Sequence, residues 1–200
     1  MSEAFPGFLQ LWREWSDLAN IVLNGYLESN ADGRFTEHSI VLTQVALEMI
    51  AWTLLVEKES VISKDGFDKL PASDKLRLLL SKLGIPIEIP PNCYDCQPPY
   101  SQRDASSLLP NLSQVAKSSQ YNWVDGPHAL TELRNGIVHP KKLQKVLATN
   151  HEARFEARWL GLWYLELVLL ALMNYQGCYA NRLIFPRHEG TYDKVPWNHQ

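Results

Sequence analysis

Apolar residues recur at steps of three and four through Phe8, Leu11, Trp12, Trp15, Leu18, Ala19, Val22 and Tyr26. That spacing lines one face of a helix, so the pattern predicts an amphipathic helix over about residues 5–28. Ser29-Asn30-Ala31-Asp32-Gly33 supplies the turn formers that end it. A second helix starts near Thr36, which serves as N-cap with Glu37 in the first turn, and runs to about Lys58. It is apolar nearly all round, the mark of a central helix. Ser63-Lys64-Asp65-Gly66 reads as a turn. Ser73 caps a short helix through Leu76, Leu79, Leu80 and Leu83, which Gly84 closes with Pro86 behind it.

Residues 85–110 break this rhythm. Six of the twelve prolines fall there (Pro86, Pro90, Pro91, Pro98, Pro99 and Pro110), so a long, mostly non-helical loop insertion is expected. Asp125-Gly126-Pro127 then opens a helix, with Asp125 as cap. That helix continues through Leu130, Leu133 and Ile137, and Pro140 ends it near His139. A last long helix covers about Asn150 to Tyr179 on the stripe Phe155, Trp159, Leu162, Trp163, Leu165, Leu169 and Met173. The pattern predicts an all-α fold: an up-down bundle of four or five helices over residues 1–185, followed by an irregular tail, 186–200.

The segments 39–56 and 159–173 are apolar enough to raise the question of a membrane. The first carries Gln44 and Glu48 and the second carries Glu166, and a carboxylate at the centre of a span is costly. Buried helices explain both better. The opening MSEAFPGFLQLWREW lacks the basic start and cleavage site of a signal peptide. A cytoplasmic protein with no membrane partner is therefore the expectation.

Composition narrows the function classes. Forty-six per cent hydrophobic residues exclude disorder, and three cysteines in 200 residues are too few for a disulfide scaffold. The formal charge of −3 argues against general nucleic-acid binding, so any such contact needs a local patch. Residues 127–200 hold nine Lys and Arg against six Asp and Glu, whereas residues 1–126 hold ten against sixteen. Lys141, Lys142 and Lys145 lie in the basic part and could steer a phosphate backbone. Cys93 and Cys96 form a single C-x2-C, half of what a zinc site needs. No metal and no cofactor is expected, and the common phosphate-loop, dinucleotide, metalloprotease and hydrolase motifs are absent.

The most informative stretch is Leu133-Arg134-Asn135-Gly136-Ile137-Val138-His139-Pro140. On a regular helix Arg134 and His139 would stand about 7.5 Å apart along the axis and roughly 140° apart in rotation. Pro140 and Gly136 loosen that geometry and allow His139 to swing toward Arg134. Arginine offers a permanent charge for a phosphorane, and histidine a proton acceptor that titrates near neutrality. The two carboxylates in apolar helices, Glu48 and Glu166, either reach solvent on a polar stripe or must be protonated or paired with a cation, and if paired Arg134 is an attractive partner.

Arg134-Asn135-x3-His139, near the end of a short helix before the last long one, resembles the R-x4-6-H signature of the HEPN superfamily. Ala46-Leu47-Glu48 and the run from Lys75 to Pro86 are similar to HEPN domains of ApeA-like bacterial anti-phage proteins. The resemblance implies a helical bundle that forms a two-fold homodimer and works as a metal-independent endoribonuclease in a defence or toxin system. It implies that His139 acts as base or acid, that Arg134 binds the scissile phosphate, that Asn135 orients a phosphate or its neighbour, and that Glu48 holds Arg134. Its implied partners are RNA and an antitoxin or sensor protein. Two other classes remain open: a catalytically silent bundle that binds nucleotides or proteins, and a plain helical interaction module.

Overall fold

The computed structural model describes residues 3–31, 35–90, 109–139, 141, 144, 149–184 and 192–197. Among these the chain is mostly helical, with eight α-helices and a single two-residue β-ladder. The helices are α1 (Phe5–Glu14), α2 (Ser16–Asn30), α3 (Thr36–Trp52), α4 (Lys64–Lys69), α5 (Ala72–Lys82), α6 (Pro110–Lys117), α7 (Gly126–Val138) and α8 (His151–Leu172). A π-turn, Thr53–Lys58, prolongs α3.

The two most apolar helices form the centre. Leu47, Ile50, Leu55, Leu160, Leu162 and Leu165 are fully or almost fully buried. Gly161 allows the close approach: a Cβ there would come within 2.8 Å of Thr43 Oγ1. Thr43 instead turns its hydroxyl onto the Ser39 carbonyl at 2.8 Å. The Thr43–Gly161 and Glu37–Arg154 contacts show that α3 and α8 run parallel. On one side α2 runs antiparallel to α8, as Tyr26 meets Glu166 and the Ser29 carbonyl meets Arg158. On the other, α7 also runs antiparallel to α8, since Leu130 lies at Gly161 and Gly126 against Tyr164. Thr36–Lys58 is the one helix among the described residues long and apolar enough to cross a membrane, and 56% of its most apolar window is buried inside the protein.

The start of α7 is stapled. The Asp125 side chain caps it by accepting from His128 N–H at 2.8 Å, and it also takes a two-pronged guanidinium contact from Arg77 on α5. The adjoining Gly126 N–H donates to Ile87 O at 2.9 Å, the carbonyl that Tyr164 Oη also reaches at 3.1 Å. Glu156 of α8 caps α6 in the same spirit, accepting from Leu112 N–H at 2.7 Å and from Asn111 Nδ2 at 2.6 Å.

Several expectations need correction. The helix expected over 5–28 is broken at Trp15, which leaves helical geometry (φ −136°, ψ 48°). The break places the Trp15 ring under Lys58 Nζ at 4.6 Å, while Lys58 pairs with Glu14 at 2.7 Å. Phe35, not Thr36, stands at the N-cap of α3, and Pro71, not Ser73, at that of α5. Ser63-Lys64-Asp65-Gly66 does not stay a turn: Ser63 Oγ accepts from Gly66 N–H at 3.2 Å and nucleates α4. The last helix ends at Leu172, and Asn174 adopts a left-handed φ of 52° just beyond. The end of the chain is not wholly irregular. Asp193–Lys194 pairs antiparallel with Cys178–Tyr179, Val195 is buried, and Trp197 Nε1 donates to Tyr175 O at 2.9 Å. The remainder of the tail and most of the Pro-rich loop lie outside the described residues.

Two predictions follow from these contacts. Asp125→Ala removes a helix cap and the acceptor of a guanidinium together, so it should cost about 2–4 kcal/mol in a urea unfolding experiment. Asp74→Ala, which deletes the exposed partner of Arg77, should cost at most about 1 kcal/mol. Equal losses would show that Asp125 is not the staple. The second concerns alkaline pH. Burial raises the hydroxyl pKa of Tyr26, Tyr164 and Tyr179 above the ordinary 10.0. The folded state therefore holds protons that the unfolded chain releases, so stability is intact below about pH 10 and falls above it. The fall should be shallower in Tyr164→Phe, and an identical slope in parent and variant would refute this assignment.

Candidate functional site

Of the residues singled out by the sequence, Arg134, Asn135 and His139 lie at the C-terminal end of α7. Thr131 of α7 meets Gln44 of α3 at 3.4 Å, and α7 runs antiparallel to both central helices. Its last turn therefore lies beside the N-terminal turns of α3 and α8, where unpaired backbone N–H groups concentrate partial positive charge. The Glu37–Arg154 ion pair (3.2 Å) bridges those two N-terminal turns.

Asn135 organises the motif. Its side-chain oxygen accepts from Arg134 Nη1 at 3.2 Å, and its backbone carbonyl accepts from His139 N–H at 3.0 Å. His139 sits at the C-cap in an extended conformation (φ −114°, ψ 111°), and its side chain is exposed to solvent. Arg134 is half-buried and forms no ion pair with any described residue. Its Nε is wholly buried and without a hydrogen-bond partner among the described residues. A buried donor left unpaired costs about 1–3 kcal/mol, so this Nε calls for a water or an anion as its partner.

The two carboxylates do not take Arg134 as partner. Glu48 accepts from Gln44 Nε2 at 3.0 Å. Because α3 and α7 are antiparallel, Glu48 lies one turn beyond Gln44 on the side away from Arg134. Glu166 is claimed by Arg182, whose Nε donates to Oε2 at 3.0 Å, and by Tyr26 Oη at 2.8 Å. Burial, followed by the charge of Glu166, raises the Tyr26 hydroxyl pKa. That cluster fastens the chain after α8 to α2 and is structural.

Residues 13–193 match the family model of the YopA C-terminal domain. The chain belongs to the YopA C-terminal domain family. It is 34% identical over 200 residues to the SPbeta prophage-derived uncharacterized protein YopA of Bacillus subtilis (strain 168). That alignment takes in 98% of this chain and spans 40% of the relative's length. No solved structure matches.

The stretch matched to the YopA C-terminal domain takes in α2 to α8 and every residue of the motif. Within it Lys141 is exposed, two residues past His139, whereas Lys142, Lys145, Cys93 and Cys96 lie outside the described residues. Among the described residues no group of three or more His, Cys, Asp or Glu is placed to hold a metal ion. A shallow depression lined by Pro6, Leu9, Gln10, Arg13 and Glu14 lies on α1. Gly7 of α1 packs on Met173, so this depression is at the opposite end of α8 from Arg134. Sequence reasoning missed Gln44, Thr131 and the Glu37–Arg154 pair. Gln44 did carry a signal: a second polar residue one turn before Glu48 in an otherwise apolar helix.

Proposed function

We propose that this YopA C-terminal domain is a metal-independent endoribonuclease acting in the cytoplasm, in a defence or toxin setting. The observation that carries the reading is an arginine that no described acid neutralises, its Nη1 held by the Asn135 side chain, one turn before a solvent-facing histidine at the end of the same helix. His139 takes the proton from a ribose 2′-hydroxyl, whose oxygen attacks the adjacent phosphorus. Arg134 stabilises the charge that builds on the phosphorane oxygens. The 5′-oxygen leaves with a proton, which gives a 2′,3′-cyclic phosphate and a 5′-hydroxyl end. Asn135 acts by aiming the guanidinium. Lys141, with Lys142 and Lys145, guides the RNA backbone.

A two-fold homodimer would bring two such helix ends into one cleft and supply an acid opposite each base. The prophage-derived relative is longer than this chain, and a sensor or antitoxin contact outside the shared stretch is part of the same proposal.

The test is incubation of the purified chain with mixed RNA in EDTA, beside His139→Ala and Arg134→Ala. The parent should cut and leave 2′,3′-cyclic phosphates, and each variant should be slower by about a hundredfold or more. Equal cleavage by all three proteins would remove the motif from the site. RNA binding without cleavage by the parent would instead establish the silent nucleotide- or protein-binding module. Sedimentation should give a dimer at tens of micromolar, and a strict monomer would discard the shared cleft.

A further inference from the structure

Gln44 is 1% exposed, in the middle of α3. Its Nε2 faces Glu48 Oε1 at 3.0 Å, and a carboxylate only accepts, so the orientation of the amide is settled. The same Nε2 lies 3.4 Å from Thr131 Oγ1. That leaves Gln44 Oε1, an acceptor that is buried and has no hydrogen-bond partner among the described residues. Arg134 Nε, a buried donor, is orphaned in the same way. Arg134 follows Thr131 by one turn on the same face of α7, on the side of Gln44 away from Glu48. One interface thus holds a spare acceptor on one helix and a spare donor on the next.

We propose that Gln44 is a positioning residue for Arg134: its Oε1 receives the Nε–H of the guanidinium across one bridging water. Glu48 orients the carboxamide from behind. The chemistry explains why the group facing Arg134 is an amide. A neutral oxygen fixes the fork without cancelling its charge, whereas a carboxylate in that place would neutralise the cation a phosphate has to meet. With Nε held by Gln44 and Nη1 by Asn135, Nη2 remains directed to an anion. This role rests on the nuclease reading for its purpose but not for its geometry.

The experiment reads the geometry without RNA. The Nε–H signal of Arg134, assigned in a 15N-labelled chain by its loss in Arg134→Lys, should exchange slowly with solvent. In Gln44→Met, close in shape but without an acceptor, exchange should be about tenfold faster or more. In Gln44→Glu it should stay slow, because an acceptor is restored. Thr131→Val, which frees the carboxamide, should give an intermediate rate and keeps the test open if Gln44→Met fails to fold. Unchanged exchange in a cooperatively folded Gln44→Met, or in Thr131→Val, would overturn the proposal. In the cleavage assay Gln44→Met should lower kcat about tenfold with little change in KM. Gln44→Glu should weaken RNA binding while the Nε–H stays protected. Protection in a parent that leaves RNA intact would refute the nuclease reading and uphold the positioning role.

Discussion

The arrangement depends on two nearly all-apolar helices lying side by side in the same direction. Parallel helix dipoles oppose that, by about 0.3–1 kcal/mol for charges near their ends. Each buried leucine along the seam contributes about 1.5–3 kcal/mol, so apolar burial decides the outcome. Gly161 is the condition for it, because a side chain there would push against Thr43 and hold α8 off α3. Once those two helices are registered, α2 and α7 are left to flank them, each antiparallel to α8, and the end of α7 must arrive where α3 and α8 begin.

The interior of this core treats its polar groups strictly. Thr43 returns its hydroxyl to the backbone of its own helix. Glu156 is spent on the first turn of α6, and Glu166 on Arg182 and Tyr26. Arg158 lies on the Ser29 carbonyl that closes α2. Among the described residues Ser29 Oγ, Gln44 Oε1 and Arg134 Nε are buried without a hydrogen-bond partner, and the last two belong to the packed helices α3 and α7. No described acid pairs with this guanidinium, while Glu156, Glu166 and Asp125 are each engaged.

Much of this was legible in the chain itself. The central helices announced themselves through near-continuous apolar runs, and α7 through Asp125 and Pro127 at its start, both of which hold. The break at Trp15 was not legible, because the apolar stripe runs unbroken through it and the cause is a distant lysine, Lys58. The small helix α4 was hidden for a different reason: Ser63 and Gly66 suit a turn and a helix start equally well. Which residue of α3 lies towards Arg134 is not legible, because spacing within a helix says nothing of its direction relative to its neighbour. Glu48 and Gln44 share a face, and only the antiparallel course of α7 decides which of them lies nearer the arginine.

The β-ladder beside Tyr175 has an effect beyond tidying the tail. It fastens residues 193–197 next to the last turn of α8, the same corner where Gly7 of α1 meets Met173. Both chain ends are thereby tethered at one pole, and the Arg134 end occupies the other. Any sequence fused before α1 or after Trp197, as the longer prophage relative invites one to picture, would be carried like a handle. It would lie at the far end of α8 from Arg134.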